Sequence, residues 1–208
     1  MKTLFQNSIK NSFNLAALTA LTVGTITIIL VFSVKGVNVW LHPLASFLGG
    51  AGNDIFLIAA NALLIGWAWR KKIYSFICMT LWLDILVGLS VQVIKLIELP
   101  PWTLRPTGMS GGFPSGHATH SFAIAFVLTL VFPRLAWFWY LCAAAISWSR
   151  VETFAHTNVQ IAAGVLLGIF IGFLLISRWL RRPEAAKFFP MASTSVSPMV
   201  SRETLAAE

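Results

Sequence analysis

Charge is what this chain has least of. Asp, Glu, Lys and Arg make up 11% of its 208 residues, against roughly 25% in an ordinary soluble domain. That deficit excludes a soluble globular enzyme, and the apolar balance excludes a disordered chain. Cysteine is nearly absent. Cys78 and Cys142 are the two, both inside apolar stretches, where they read as small buried residues rather than a disulfide or a metal pair. There is no internal repeat and no glycine-rich nucleotide loop.

What is abundant is apolar. Hydrophobic residues reach 57% and mean hydropathy is +0.79. They fall in six runs, over residues 15–34, 55–69, 73–94, 118–132, 135–148 and 159–176. A helix rising 1.5 Å per residue needs about 20 residues to cross a ~30 Å hydrocarbon core, and three of the runs are short at about 15. The expectation is all-α: a polytopic membrane protein built as a six-transmembrane-helix bundle.

The formal net charge of +8 would point to nucleic acid in a soluble protein; here it reports topology. With the N-terminus in the cytoplasm, Lys2, Lys10, Arg70, Lys71, Lys72, Arg134, Arg178, Arg181, Arg182, Lys187 and Arg202 fall inside. Lys35, Lys95, Arg105 and Arg150 remain outside. The positive-inside rule selects this orientation, with both termini cytoplasmic, and nucleic-acid binding drops out. The tryptophans agree, since all but Trp82 fall at span ends or in connections, where an indole satisfies both ring and N–H.

The first run is longer than a signal-peptide core and no clean small-x-small site follows it, so it reads as an uncleaved signal anchor. The expected organisation is a cytoplasmic segment over 1–13, a six-span domain over 14–182 and a cytoplasmic tail over 183–208. That tail, rich in Pro, Ser, Thr and Ala without helical period, is expected to be disordered. Residues 37–50 form an outward connection with an interfacial helix, after which Asn53 or Asp54 would cap the second span.

The chemistry concentrates in two outward connections. The third, residues 96–114, carries Pro100-Pro101, Arg105-Pro106, Gly108 and Gly111-Gly112, and leads into Phe113-Pro114-Ser115-Gly116-His117. Prolines and glycines break a helix and let backbone approach a ligand. Ser115 is a good N-cap for the fourth span, with Gly116 and His117 in its first turn, and a helix N-terminus suits an anion such as phosphate. At the end of the fifth span come Ser149-Arg150 and then His156, with Gln160 as the sixth begins. Cations beside paired imidazoles at a bilayer surface point to phosphoryl chemistry. Arginine binds phosphate oxygens bidentately, lysine neutralises charge, and histidine serves as nucleophile or proton donor.

The ordered set Lys95, Arg105-Pro106, Pro114-Ser115-Gly116-His117, Ser149-Arg150 and His156 resembles the three-part signature of the type 2 phosphatidic-acid phosphatase superfamily of membrane lipid phosphatases. The resemblance runs from the third span to the start of the sixth. It implies a six-helix bundle with the site in outward-facing loops, no cofactor and no metal. It also implies roles: His156 attacks phosphorus and forms a phosphohistidine, and His117 protonates the leaving oxygen and then activates water. Lys95, Arg105 and Arg150 hold the phosphate oxygens, with Ser115 and the Gly116 backbone N–H.

Two features depart from the usual pattern. The chain holds more residues between Lys95 and Arg105 than the family usually does, with Pro100 and Pro101 in the insert. Gln160 stands where most members carry the Asp that orients the nucleophile. His156-Thr157-Asn158-Val159-Gln160 is similar to the dolichyl-diphosphate phosphatase branch. The implied substrate is therefore a membrane lipid, best a polyprenyl diphosphate such as undecaprenyl diphosphate, on a bacterial inner membrane with the site on the periplasmic face. Phosphatidate, phosphatidylglycerol phosphate or a lipid A phosphate, or transfer to an acceptor lipid, are the enzymatic alternatives. A scaffold or transporter with an inactive site is the non-enzymatic one.

Four other residues carry expectations. A mid-span carboxylate such as Asp84 is costly. Lys95 lies eleven residues on, within about 20° of the same helix face, so Asp84, Gly88, Gln92 and Lys95 form one stripe running roughly 16 Å inward. Asp84 then supports the site from beneath or packs the bundle. His120 follows His117 by one turn and reads as supporting or packing, His42 as interfacial, and Glu152 as the ion-pair partner of Arg150 or a substitute orienter of His156.

Overall fold

The computed structural model describes residues 2–34, 38–98 and 100–188, with side chains from residue 9 onward. Lys35 and the tail beyond residue 188, Arg202 included, lie outside the described residues. All the apolar runs are helices. In chain order the helices are α1 (Lys2–Ser33), α2 (His42–Gly49), α3 (Ala51–Arg70), α4 (Tyr74–Leu96), α5 (Gly116–Val131), α6 (Ala136–Glu152), α7 (Asn158–Trp179) and α8 (Ala185–Phe188), with a 3₁₀ turn over Pro133–Leu135 before α6; α2 and α8 lie outside the six runs. No strand occurs among the described residues. In hydrocarbon each backbone polar group must be satisfied within its own segment, which an apolar run achieves as a helix.

Four helical stretches are long and apolar enough to cross a membrane: Ile9–Ser33, Ala51–Arg70, Tyr74–Leu96 and Asn158–Trp179. α5 and α6 are shorter, at 16 and 17 residues. α5 is the central helix, packed by α1, α3, α4, α6 and α7, and it buries nearly every side chain from Ala118 to Leu130. A helix wrapped this way meets protein rather than lipid. Its closest neighbour is α7, whose Gly164, Gly168 and Gly172 repeat every four residues along one face. A Cβ at Gly168 would stand 2.2 Å from the Thr119 carbonyl oxygen, and one at Gly164 would stand 2.6 Å from that of Ser115. Small residues at this spacing let two membrane helices pack backbone to backbone.

The helix ends converge at one end of the bundle: the starts of α3, α5 and α7 meet the last turns of α4 and α6. The opposite end is closed by aromatic rings. Phe76 and Trp179 lie 5.0 Å apart, and Phe188 of α8 stacks edge-on against Trp67 at 5.0 Å. Trp179 Nε1 donates to Ser75 Oγ at 3.0 Å, and the Ser75 N–H donates to Glu184 at 3.2 Å. The first residues of the expected tail are therefore folded onto the bundle, because Phe188 completes an apolar cluster.

Local expectations are also corrected. α3 is preceded by Gly50, without a side-chain cap. Asn53 and Asp54 stand inside its first turn rather than capping it. Cys78 is exposed and Cys142 half-buried, both free, so neither is the fully buried residue expected.

Candidate active site

Where the helix ends converge they enclose a cavity of about 440 Å³. Lys95, Arg105, Arg150, Gly116, His117 and His156 all line it. The residues between Lys95 and Arg105 do not carry the two cations apart. Lys95 stands in the last turn of α4, and Arg105 reaches the same cavity wall. A tight turn follows Arg105, whose N–H donates to Met109 O at 2.8 Å while the Gly108 N–H donates to Arg105 O at 2.9 Å. The Nε groups of Arg105 and Arg150 are buried without a protein partner. Buried donors of this kind are rare and mark a place for an acceptor from outside the chain.

Arg150 is held from both sides. Its Nη1 donates to the Gly49 carbonyl at 2.7 Å, which fixes the guanidinium against the end of α2. Its own carbonyl accepts from the N–H groups of Ala155 and His156, at 3.0 Å each, folding the loop that carries His156 back over α6. The contact with α2 depends on glycine. A Cβ at residue 49 would fall 2.6 Å from Arg150 Nη1 and 2.9 Å from Ser149 Oγ.

His156 is 3% exposed. Its Nδ1 lies 2.9 Å from the Gly112 carbonyl oxygen and 3.1 Å from Gln160 Oε1. Both neighbours are acceptors, so Nδ1 carries the proton and Nε2 keeps its lone pair free. The orientation of the Gln160 amide follows from its other partners. Nε2 donates to Trp102 O and Leu104 O, each at 2.8 Å, while Oε1 also accepts the Thr157 N–H at 3.0 Å. Thr157 Oγ1 accepts the Gln160 N–H in return, a capping box that starts α7. Burial above all pushes the His156 pKa down from 6.5 to about 3. The bond to Gln160 opposes that, and the cations of Arg150, Arg105 and Lys95 add to it.

Ser115 precedes α5 as expected, yet its hydroxyl caps nothing. It is fully buried, its Oγ has no partner, and its N–H donates to the Gln160 carbonyl at 2.9 Å. Gly88, Gln92 and Lys95 of the Asp84 stripe line the cavity. Asp84 Oδ1 meets His120 Nε2 at 2.6 Å and accepts from Asn61 Nδ2 at 3.4 Å, tying α3, α4 and α5 together beneath the site. Glu152 forms no ion pair with Arg150. Among the described residues the ion pair at this level is Asp84 with His120. Glu152 is buried and accepts the Asn38 N–H instead, because the last turn of α6 aims it at the α1–α2 connection.

Three residues at the site stand outside the motifs. Asn53 and Asp54 line the cavity, and Gly49 seats Arg150. The Thr157-to-Gln160 capping box was present in the sequence as its T-x-x-Q spacing.

Guanidinium Nε donors without a protein partner, beside two imidazoles at one end of an apolar helical bundle, suit a phosphate group presented at a membrane. The sequence model of the PAP2 superfamily matches residues 92–184, which hold every motif residue named above. The undecaprenyl-diphosphatase of Sulfolobus acidocaldarius is 30% identical over 146 residues, covering 65% of this chain and 69% of that protein. The bacitracin transport permease protein BcrC of Bacillus licheniformis is 34% identical over 61 residues, covering 29% of this chain and 30% of that protein. No solved structure matches the chain significantly. The chain belongs to the PAP2 superfamily. It is an integral membrane phosphatase or diphosphatase acting on lipids.

Proposed function

We propose that this chain hydrolyses a polyprenyl diphosphate, with undecaprenyl diphosphate as the best candidate, through a phosphohistidine on His156. The observation that carries the mechanism is the tautomer of His156. Its Nδ1 proton is committed to Gly112 O and Gln160 Oε1, leaving a nucleophilic lone pair on Nε2 in a cavity lined by three cations. In this reading Lys95, Arg105 and Arg150 neutralise the phosphate oxygens, and the Ser115 hydroxyl and Gly116 N–H add donors at the start of α5. His156 Nε2 attacks phosphorus while His117 gives its proton to the departing oxygen, and His117 then takes a proton from water. No residue role here calls on a metal.

The substrate rests on the name and identity of the Sulfolobus relative and on Gln160. The arrangement in the membrane is part of the proposal: six spans over residues 14–182, both termini cytoplasmic, the cavity on the outer face of the plasma membrane. The basic residues at the aromatic-capped end support it. The test is phosphate release by detergent-purified protein, with EDTA present, from undecaprenyl diphosphate and from phosphatidate. Faster release from the diphosphate, abolished by His156→Ala, supports the reading. Preference for phosphatidate overturns the substrate, and activity surviving the substitution overturns the mechanism.

A further inference from the structure

The cations of the cavity are donors without exception, since Lys95, Arg105 and Arg150 offer N–H groups and no lone pair. A water held by such groups turns its lone pairs toward them, and those electrons are the ones that must reach phosphorus. A hydrolytic water needs acceptors for its protons. His117 supplies one after protonating the leaving oxygen. The other must come from a different part of the wall.

α3 brings acceptors there. Asn53 and Asp54 both line the cavity. Asn53 is 4% exposed, and its Nδ2 donates to Asp54 Oδ1 at 3.2 Å. Its Oδ1 is buried with no protein partner, although buried amide oxygens are normally paired with protein or water. The orphan therefore marks a place for a donor the chain does not supply. Asn53, Asp54 and His117 line the same cavity; burial first, then the Arg150 cation, pushes the His117 pKa down from 6.5 to about 4, and the Asp54 carboxylate works against that shift. Asp84, the nearby carboxylate on α4, is committed to His120 and Asn61.

We propose that Asn53 and Asp54 are positioning residues that hold the hydrolytic water for dephosphorylation of His156. The inference rests on the phosphohistidine reading above. The water oxygen forms the new bond to phosphorus as the bond from phosphorus to Nε2 breaks, and that electron pair returns to the imidazole. One water proton passes to His117, neutral since it protonated the leaving oxygen. The other stays on the product phosphate, directed at Asp54 and Asn53 Oδ1. His117 ends protonated, ready for the next leaving group.

Rapid-quench kinetics with terminally ³²P-labelled undecaprenyl diphosphate separate the two half-reactions in the full chain. Asp54→Ala and Asn53→Ala are expected to leave the rate of His156 labelling at the parent value. Release of phosphate slows by about a hundredfold, so the labelled fraction at steady state rises. Both variants compete for inorganic phosphate with the parent's affinity, which shows them folded with the cations in place. If labelling and release slow together, if neither changes, or if phosphate affinity is lost, the proposal is overturned. A parent chain that turns over without ever carrying label on His156 overturns the phosphohistidine reading itself, and that outcome is visible without any variant.

Discussion

Gln160 meets His156 through one end of its amide and leaves it through the other. Oε1 lies 3.1 Å from His156 Nδ1, while Nε2 donates to the carbonyls of Trp102 and Leu104 at 2.8 Å each. One side chain thus orients the imidazole and pins the loop that ends at Arg105. A carboxylate can reproduce the first bond and opposes the other two.

The prediction is that Gln160→Glu does not speed the enzyme, although it supplies the negative charge that the family resemblance leads one to expect there. It leaves two carbonyl oxygens facing an anion, and lost buried hydrogen bonds with stranded acceptors cost about 2 kcal/mol or more. A lower thermal midpoint in detergent and a raised KM, from the loosened Arg105 loop, are the readouts.

Gly49 sets the place of Arg150. A Cβ there overlaps the guanidinium and displaces it from the carbonyl it now meets at 2.7 Å. Gly49→Ala is expected to raise KM by about tenfold, a loss of about 1.4 kcal/mol in binding, and to change kcat far less. Steady-state kinetics with the lipid substrate check the split.

His156 is predicted to stay neutral from pH 8 down to pH 5. The fold lowers its pKa from 6.5 to about 3, through burial first, so the folded state binds fewer protons than the unfolded chain between those values. The contribution to stability is present above about pH 6.5 and is lost as pH falls toward 3. Imidazole ¹⁵N shifts of the labelled protein report it directly; a His156 midpoint near 6.5 contradicts it.

The Asp84–His120 pair bridges α4 and α5 at 2.6 Å, short for an interhelical contact. A double-mutant cycle of Asp84→Asn and His120→Ala is expected to give a coupling of about 1 kcal/mol, above the ~0.6 average for hydrogen bonds between membrane helices. Unfolding in graded detergent mixtures measures it.

The sequence made the helices legible because a long apolar run in a membrane has one way to satisfy its backbone. Even short α5 was visible as residues 118–132. The motif residues were legible because they sit at helix ends or in the connections between helices, where His117, Arg150 and His156 stand out against apolar neighbours. Asn53 or Asp54 reads as the cap of the second span, because α3 is apolar on most sides and no amphipathic stripe shows which face meets the cavity. Two partners of Gln160 could not be read at all. Trp102 and Leu104 take part through backbone carbonyls, which any residue carries. Glu152 was assigned by sequence proximity to Arg150, and the pitch of α6 sends it elsewhere.

The most direct test of the central claim is to quench turnover in the purified full-length protein at alkaline pH and locate the phosphate by peptide mass spectrometry. The account predicts an acid-labile phosphate on His156, formed with EDTA present and missing from His156→Ala, which also releases no phosphate. Turnover with no phosphate on His156, or undiminished release by His156→Ala, would contradict it.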